Sequence, residues 1–326
     1  MSKKHLIMGT AGHVDHGKTT LIKALTGFDC DTHQQEKKRG ITINLGFTHL
    51  DLASGNSLGI VDMPGHADFI NTMVAGASGI DFVLLIIAAD EGVMPQTVEH
   101  LEIMKLLEIK QGLVVLTKAD LVDAELLELA QEEVREFVED SFLQDAPIIP
   151  VSGATQAGIE ELLTALDKLV AAIPQRSAEG VFRMFIDRIF TIEGIGTIVN
   201  GSVLSGSIAA EDILYLLPVE KEVRIRRIER HGQETQRIMA GDRAALNLVG
   251  LKKAEFAKGM LLSDRRLAPT EMVDAKLTIF QPDFSLNRWS QLIFLIGTVR
   301  MTAKLHLLDR EVLASEESGL VQIHLP

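Results

Sequence analysis

Gly12-His13-Val14-Asp15-His16-Gly17-Lys18-Thr19 sets two glycines five apart ahead of a lysine and a threonine. That spacing is the pattern of a phosphate-binding loop. Glycines let the backbone curl so that successive N–H groups converge on phosphate oxygens, and a following helix N-terminus adds its dipole. Asp15, His16, Gly17, Lys18, Thr19 and Thr20 are the expected nucleotide contacts. Lys18 would neutralise the β- and γ-phosphates, and the Thr19 hydroxyl would ligate magnesium. The flanks suit phosphate binding, since Leu6-Ile7-Met8 reads as a buried strand and Thr20 to Leu25 as the first turns of a helix.

Further polar clusters follow apolar runs, where an α/β sheet gathers its ligand groups. Asp62 closes the run 58–61 and could hold magnesium through a water, and the Gly65 N–H could report on a γ-phosphate. Thr117-Lys118-Ala119-Asp120 closes the next but one. A carboxylate at Asp120 can accept from both N1–H and the N2 amino group of guanine, and adenine offers neither donor. Lys118 would cover the base, and the backbone of Ser152-Gly153-Ala154 could donate to guanine O6. Between loop and Asp62, residues 36–44 lack periodicity; they are either a plain exposed loop or a switch in which Thr42 is a second magnesium ligand.

These residues need strands to carry them. Residues 1–174 alternate apolar runs with amphipathic helices, the pattern of a mostly parallel α/β sheet. The apolar run Phe82 to Ala89 is expected at its centre, since it has no polar face. A helix from Pro95 is expected to bury Val98, Leu101, Met104 and Leu107, and one capped by Asp123 to bury Leu126, Ala130, Val134 and Phe137. A last helix is expected over 159–172. Pro174 to Gly180 reads as a linker. After it come β-rich segments at barrel-like spacing over 181–268, and another β-rich region over 270–326. The fold class is thus a P-loop α/β domain followed by all-β barrels.

At 326 residues the chain is long enough for two or three domains. Its apolar runs are too short to span a bilayer, and its opening residues leave no room for a signal peptide. A single cysteine, Cys30, excludes an internal disulfide framework and fits a reducing cytoplasm. The net charge of −13 is uneven: residues 1–174 hold 12 Lys and Arg against 26 Asp and Glu, and residues 175–326 hold 20 against 19. RNA would therefore touch the second part. Arg224, Arg226, Arg227 and Arg230 mark either that contact or a solvated edge strand.

Together GHVDHGKT, RGIT, DMPGH and TKAD resemble the translational GTPases of the elongation factor Tu type, and the resemblance runs through nearly the whole chain. It implies GTP/GDP and Mg2+ as cofactors, with Thr19 and Thr42 as magnesium ligands and Asp62 behind them. It further implies an attacking water positioned by His66, beside an apolar gate of Val14 and Ile41. Two positions depart from the family pattern, Thr117 for the usual Asn and Gly153 for the usual Ala.

LTGFDCD, EKKRGITINLGFTHLDL, AADEGVMPQT and WSQLIFLIGTVRMTAKLHLLDRE resemble the selenocysteine-specific branch of that family. That branch implies selenocysteyl-tRNA and the ribosome as partners, and an aminoacyl pocket at Asp187, Arg188 and Arg243. The alternative for these arginines is that they point into water. An mRNA hairpin would be a partner only if C-terminal winged-helix domains were present, and the resemblance implies that the chain is a shortened form without them, its last barrel over 270–326 incomplete. The rival functions are an ordinary aminoacyl- or initiator-tRNA carrier and the GTPase regulatory subunit of sulfate adenylyltransferase.

Guanine specificity is expected to rest on Asp120. In Asp120→Asn the amide can donate where the carboxylate only accepts, so GTP should bind more weakly and XTP more tightly. Equal affinities for both nucleotides before and after substitution would remove the assignment.

Overall fold

Seven consecutive buried residues, His5–Ala11, form the strand β1, and a run without a polar side belongs in a sheet covered on both faces. The computed structural model describes residues 4–29, 42, 45–66, 72–74 and 79–326. The expectations for Cys30, for Ile41 and for the loop 36–44 other than Thr42 fall outside those residues. In chain order β1 is followed by α1 (Lys18–Thr26), β2 (Gly46–Asp51), β3 (Ser57–Asp62), β4 (Phe82–Ala88), α2 (Pro95–Leu106), β5 (Gly112–Thr117), α3 (Ala124–Val138), β6 (Ile148–Pro150) and α4 (Ile159–Ala172).

Among the described residues the first sheet runs β2-β3-β1-β4-β5-β6. All its pairings are parallel except β2–β3. Separate apolar cores cover its two faces, one under α1 and α4, the other under α2 and α3. β4 is central and wholly buried, as its composition demands. Lys4 ties the chain start to the end of α4, its Nζ donating to the carbonyls of Val170, Ala171 and Ile173 at 3.1, 2.6 and 2.8 Å. Those are the carbonyls that a helix end leaves unpaired.

Two helix faces differ from expectation. α2 buries Thr97, His100, Leu101 and Met104 and leaves Val98 42% exposed. It is rotated because His100 is drawn inward to the phosphate loop. α3 is capped by Asp123, which accepts from the Leu126 N–H at 2.9 Å, but buries Ala130, Val134 and Val138 and leaves Leu126 outside. The antiparallel strand β2, part of the stretch read only as a switch region, pairs residue by residue with β3.

The second β-rich region comprises β7 (Arg183–Phe185), β8 (Arg188–Ile192), β9 (Gly196–Ser205), β10 (Ser207–Ala209), β11 (Ile213–Leu217), β12 (Lys221–Arg230), β13 (Gln233–Thr235), β14 (Arg237–Met239), β15 (Arg243–Val249) and β16 (Leu261–Ser263). The path β11-β16-β7-β9-β15-β12 returns to β11, so the barrel is closed. Its core includes Phe182, Val199, Leu214, Ile225 and Leu246. The arginine-rich strand β12 is therefore no edge. It lies between β11 and β15, with Arg224 near Glu211 and Arg227 paired to Glu234 at 2.9 Å.

The last region holds β17 (Met272–Thr278), β18 (Ser285–Asn287), β19 (Trp289–Ile296), β20 (Val299–Leu307), β21 (Val312–Ala314) and β22 (Ser318–His324). Among the described residues its main sheet is open, in the order β17-β22-β20-β19. β22 is paired on both sides. The unpaired backbone edges belong to β17 and β19.

First sheet and barrel meet at a histidine seam. His49 of β2 and His231 of the β12–β13 turn stack at 4.6 Å with planes 20° apart. Arg230 reaches both His5 Nε2, at 3.3 Å, and Asp242, at 3.2 Å. Burial pushes His231 down to about 4, with His49, Arg230 and His5 acting the same way and Asp51 opposing. A histidine whose folded pKa lies below its unfolded value binds its proton first in the unfolded chain, so stability is full above about pH 6.5 and declines as pH falls towards 4. Partial exposure limits the expected loss to on the order of 1 kcal/mol. Urea midpoints at pH 7.5 and 5 should separate by more in the wild-type protein than in His231→Gln; equal separations would show that His231 does not carry the effect.

Candidate functional site

The phosphate loop is shaped by three backbone positions with positive φ: Gly12 at 135°, Asp15 at 62° and Gly17 at 78°. A Cβ on Gly12 would lie 2.0 Å from the Ile86 carbonyl oxygen, so glycine is required there by contact as well as by conformation. Gly17 caps α1, and no side chain caps that helix or places a carboxylate in its first turn. Its first N–H groups thus face outward as a ready anion site. Lys18 is 6% exposed, and its Nζ donates to the carbonyls of Gly12 and His13. Burial lowers its pKa to about 8, against the pull of Asp62 and Asp15. A buried ammonium held only by carbonyls and distant carboxylates fits an anionic ligand.

Thr19, Thr42 and Asp62, the three residues expected at magnesium, come together. Thr19 Oγ1 donates to Asp62 Oδ2 at 2.8 Å and lies 3.1 Å from Thr42 Oγ1. Hydroxyl and carboxylate oxygens are the hard donors that magnesium prefers. Asp62 is fully buried, and its other oxygen accepts from Thr10 Oγ1 at 2.9 Å. Thr10 also accepts from the Met63 N–H at 2.9 Å, which fixes the start of the segment leading to Gly65 and His66. Gly65 presses on the loop: a Cβ there would stand 2.3 Å from Lys18 Nζ and 2.8 Å from the Val14 nitrogen. His66 follows, half-buried.

The base-side residues also converge. Thr117 Oγ1 donates to the His16 carbonyl at 2.7 Å and lies 3.2 Å from that of Ile87, so this shorter residue still braces the loop. Lys118, at φ 56°, pairs with Glu91 at 2.6 Å and Asp90 at 3.4 Å. Asp120 is exposed in a short 3-10 turn. That turn is tied to the 152–154 loop through Ala119 N–H to the Val151 carbonyl, 3.2 Å. Ser152 is buried, with Oγ accepting from Thr155 N–H at 3.0 Å. Gly153 lies against α1, where a Cβ would be 3.0 Å from the Thr20 methyl. Thr20 and Ala154 are exposed beside it.

Sequence reasoning missed two loop supports on α2. His100, 1% exposed, accepts from Gly12 N–H through Nδ1 at 3.0 Å. Burial holds its pKa at about 3, so the ring stays neutral and can accept. Gln96 Oε1 accepts from Val14 N–H at 3.1 Å. The only signal was a histidine on an otherwise apolar helix face. His16 is likewise buried, with its pKa lowered to about 4 by burial.

Asp187, Arg188 and Arg243 form a second cluster where the barrel meets β2. Arg243 grips Asp187 with both terminal nitrogens, Nη2 to Oδ1 at 2.9 Å. Its guanidinium lies 3.4 Å from the Phe47 ring centroid, and that of Arg188 4.6 Å. Arg188 also donates to the Leu45 carbonyl. Phe47 and Arg243 line a cleft of about 710 Å³ between the end of α1, β2 and the barrel. Asn200 lines it too, with a buried Oδ1 that has no recorded hydrogen bond.

Residues 3–172 match the elongation factor Tu GTP binding domain, and 196–263 match elongation factor Tu domain 2. The chain belongs to the elongation factor Tu family. Within it, the selenocysteine-specific elongation factor of Desulfomicrobium baculatum is 46% identical over 98% of this chain and 51% of its own length. The crystal structure of a bacterial selenocysteine-specific elongation factor superposes with a TM-score of 0.86 at 34% identity, over 99% of this chain and 53% of that one. Elongation factor SelB from Methanococcus maripaludis, in complex with the GTP analogue GPPNHP, gives 0.81 at 26% identity, over 100% and 72%. The chain thus spans about half the length of the curated elongation factor it matches. Among the described residues no helix is long and apolar enough to cross a membrane.

Gly65→Ala tests the closeness of the Asp62 segment to the loop. The added methyl would displace Lys18 Nζ or the Val14 backbone, so triphosphate binding should weaken by at least tenfold, with a smaller effect on the diphosphate. Isothermal titration with both nucleotides checks this, and equal affinities to wild type would show that the two segments separate on binding.

Proposed function

We propose that this chain is the nucleotide- and tRNA-carrying part of a selenocysteine-specific elongation factor, delivering selenocysteyl-tRNA to the ribosome with GTP hydrolysis as the release switch. It would work in the cytoplasm without a membrane partner. The reading is carried by one observation: the Thr19–Thr42–Asp62 group is joined, through the strand that begins at Gly46, to the Asp187–Arg188–Arg243 cluster. The relatives named above favour it over an ordinary carrier or a sulfurylase subunit.

In the GTP state, the loop N–H groups and Lys18 hold the β- and γ-phosphates. Thr19 and Thr42 would hold magnesium, with Asp62 behind them, and the ion would supply neutralisation of phosphate charge. Gly65 N–H faces the γ-phosphate. His66 orients the attacking water, so catalysis is positioning plus charge stabilisation, the usual demands of phosphoryl transfer. Asp120 reads guanine, Lys118 leaves Glu91 to cover the base, and the 152–154 backbone donates to O6. His66→Ala should lower ribosome-stimulated turnover by roughly a hundredfold or more while leaving GTP affinity near wild type. Unchanged turnover would make His66 structural only.

The aminoacyl pocket rests on acidity. A selenol is largely ionised near neutral pH and serine's hydroxyl is not. The Arg188 and Arg243 guanidiniums both lie over Phe47 and would meet a selenolate, with Asp187 orienting that of Arg243. A charge-assisted contact is worth about 1.5–3 kcal/mol. Arg243→Ala should therefore cost about ten- to a hundredfold in selenocysteyl-tRNA affinity and barely change the weaker seryl-tRNA binding. Equal losses for both would make Arg243 a general tRNA contact.

A further inference from the structure

The open sheet of the last region has two unlike faces. One carries an apolar core that includes Leu305, Leu307 and Val321. On the other, strand register sets Trp289 opposite His306, Gln291 opposite Lys304 and Leu295 opposite Arg300. His324 lies across from Lys304 on the far side. The Trp289 ring lies on that of His306 with centroids 4.1 Å apart and planes within 8°. His324 tilts against the same indole at 6.0 Å. Trp289 nevertheless remains 60% exposed.

Lys304 lies one step along the same face from His306 and is exposed, with no carboxylate partner among the described residues. Arg300 is exposed on the same face, also without one among the described residues, about 20 Å from His306 along the strand. Arg288 is already engaged, donating to His306 Nε2 at 3.3 Å and pairing with Glu311. The nearby Asp274 accepts from Gln322 at 3.0 Å. In a chain of net charge −13, a face combining an open indole with such cations is a local exception. An apolar protein surface would have to bury those cations unpaired, which is costly, whereas a polyanion with flat rings meets both features.

We propose that this face binds RNA, stacking an unpaired base on Trp289 while Lys304 takes the neighbouring phosphate and Arg300 one farther along the strand. Base-on-aromatic stacking beside a cationic track is the general physics of single-stranded nucleic-acid binding. His306 supports the indole from beneath and fixes its plane, so the stacking surface is formed before the base arrives. The proposal rests on the reading of the chain as an RNA carrier and names a surface for that contact, separate from the arginine cluster of the barrel.

Trp289 is the only tryptophan in the chain, so intrinsic fluorescence reports on this face alone. The full chain would be titrated with an RNA hairpin carrying an unpaired loop, with a blunt RNA duplex of equal charge, and with heparin, each at two salt concentrations. The looped RNA should quench Trp289 saturably, with affinity falling as salt rises. Trp289→Ala should lose roughly tenfold in affinity for labelled looped RNA, Trp289→Phe should keep most of it, and both should bind GTP as wild type does. Absence of quenching, equal affinity for looped RNA, duplex and heparin, or quenching through self-association without RNA would each overturn the proposal. The two readings fail separately. A silent Trp289 with intact tRNA discrimination removes this surface only, whereas a responsive Trp289 without tRNA binding removes the carrier reading only.

Discussion

Asp62 is a carboxylate with no exposure to solvent, and hydroxyls help to make its burial tolerable. Thr10 donates to one oxygen and Thr19 to the other. These bonds join the consecutive elements β1 and α1 to the distant strand β3 at one point. Everything that handles phosphate hangs from that point. The loop begins where β1 ends, Lys18 precedes the Thr19 donor, and Gly65 is carried onto the loop by the segment that Thr10 anchors. The bonds to this buried acid thus hold Lys18, Thr19 and Gly65 close together.

From there the connection to the barrel is short. Thr42 meets Thr19, Leu45 accepts from Arg188, and Phe47 receives both guanidiniums. All three belong to the run entering or forming β2, which is hydrogen-bonded along its length to the strand that ends in Asp62. Leu45 and Phe47, which brace the two arginines, thus lie beside or in a strand tied directly to the one that ends in Asp62.

The glycine loop, the Thr19–Thr42–Asp62 group and the 117–120 turn were legible in the sequence as motifs because their pattern is local: glycines, lysine, threonine and aspartate at fixed spacing. His100, Gln96, Thr10 and Phe47 were not, because each acts across the fold on a partner that spacing cannot reveal. The α2 face was misjudged for the same reason, since the position that buries a histidine looks polar in a hydropathy pattern. The arginines of β12 read either as an RNA contact or as a solvated edge; closure of the barrel places them between two strands, which removes the edge, and lets nearby glutamates pair with two of them. Strand existence in the last region was readable from composition. Its order was not, and β22 lies inside the sheet, not at its margin.

The approach of Gly153 to Thr20 has a meaning for how this loop can vary. A methyl group at position 153 would sit 3.0 Å from the methyl already supplied by Thr20, so the two positions share one methyl-sized volume. Glycine in the base loop is then the complement of a branched residue at the start of α1, and the departure from alanine is half of a pair. An alanine at 153 needs the exposed Thr20 methyl to give way by a few tenths of an ångström, and serine at position 20, which keeps the hydroxyl and vacates the space, removes that demand.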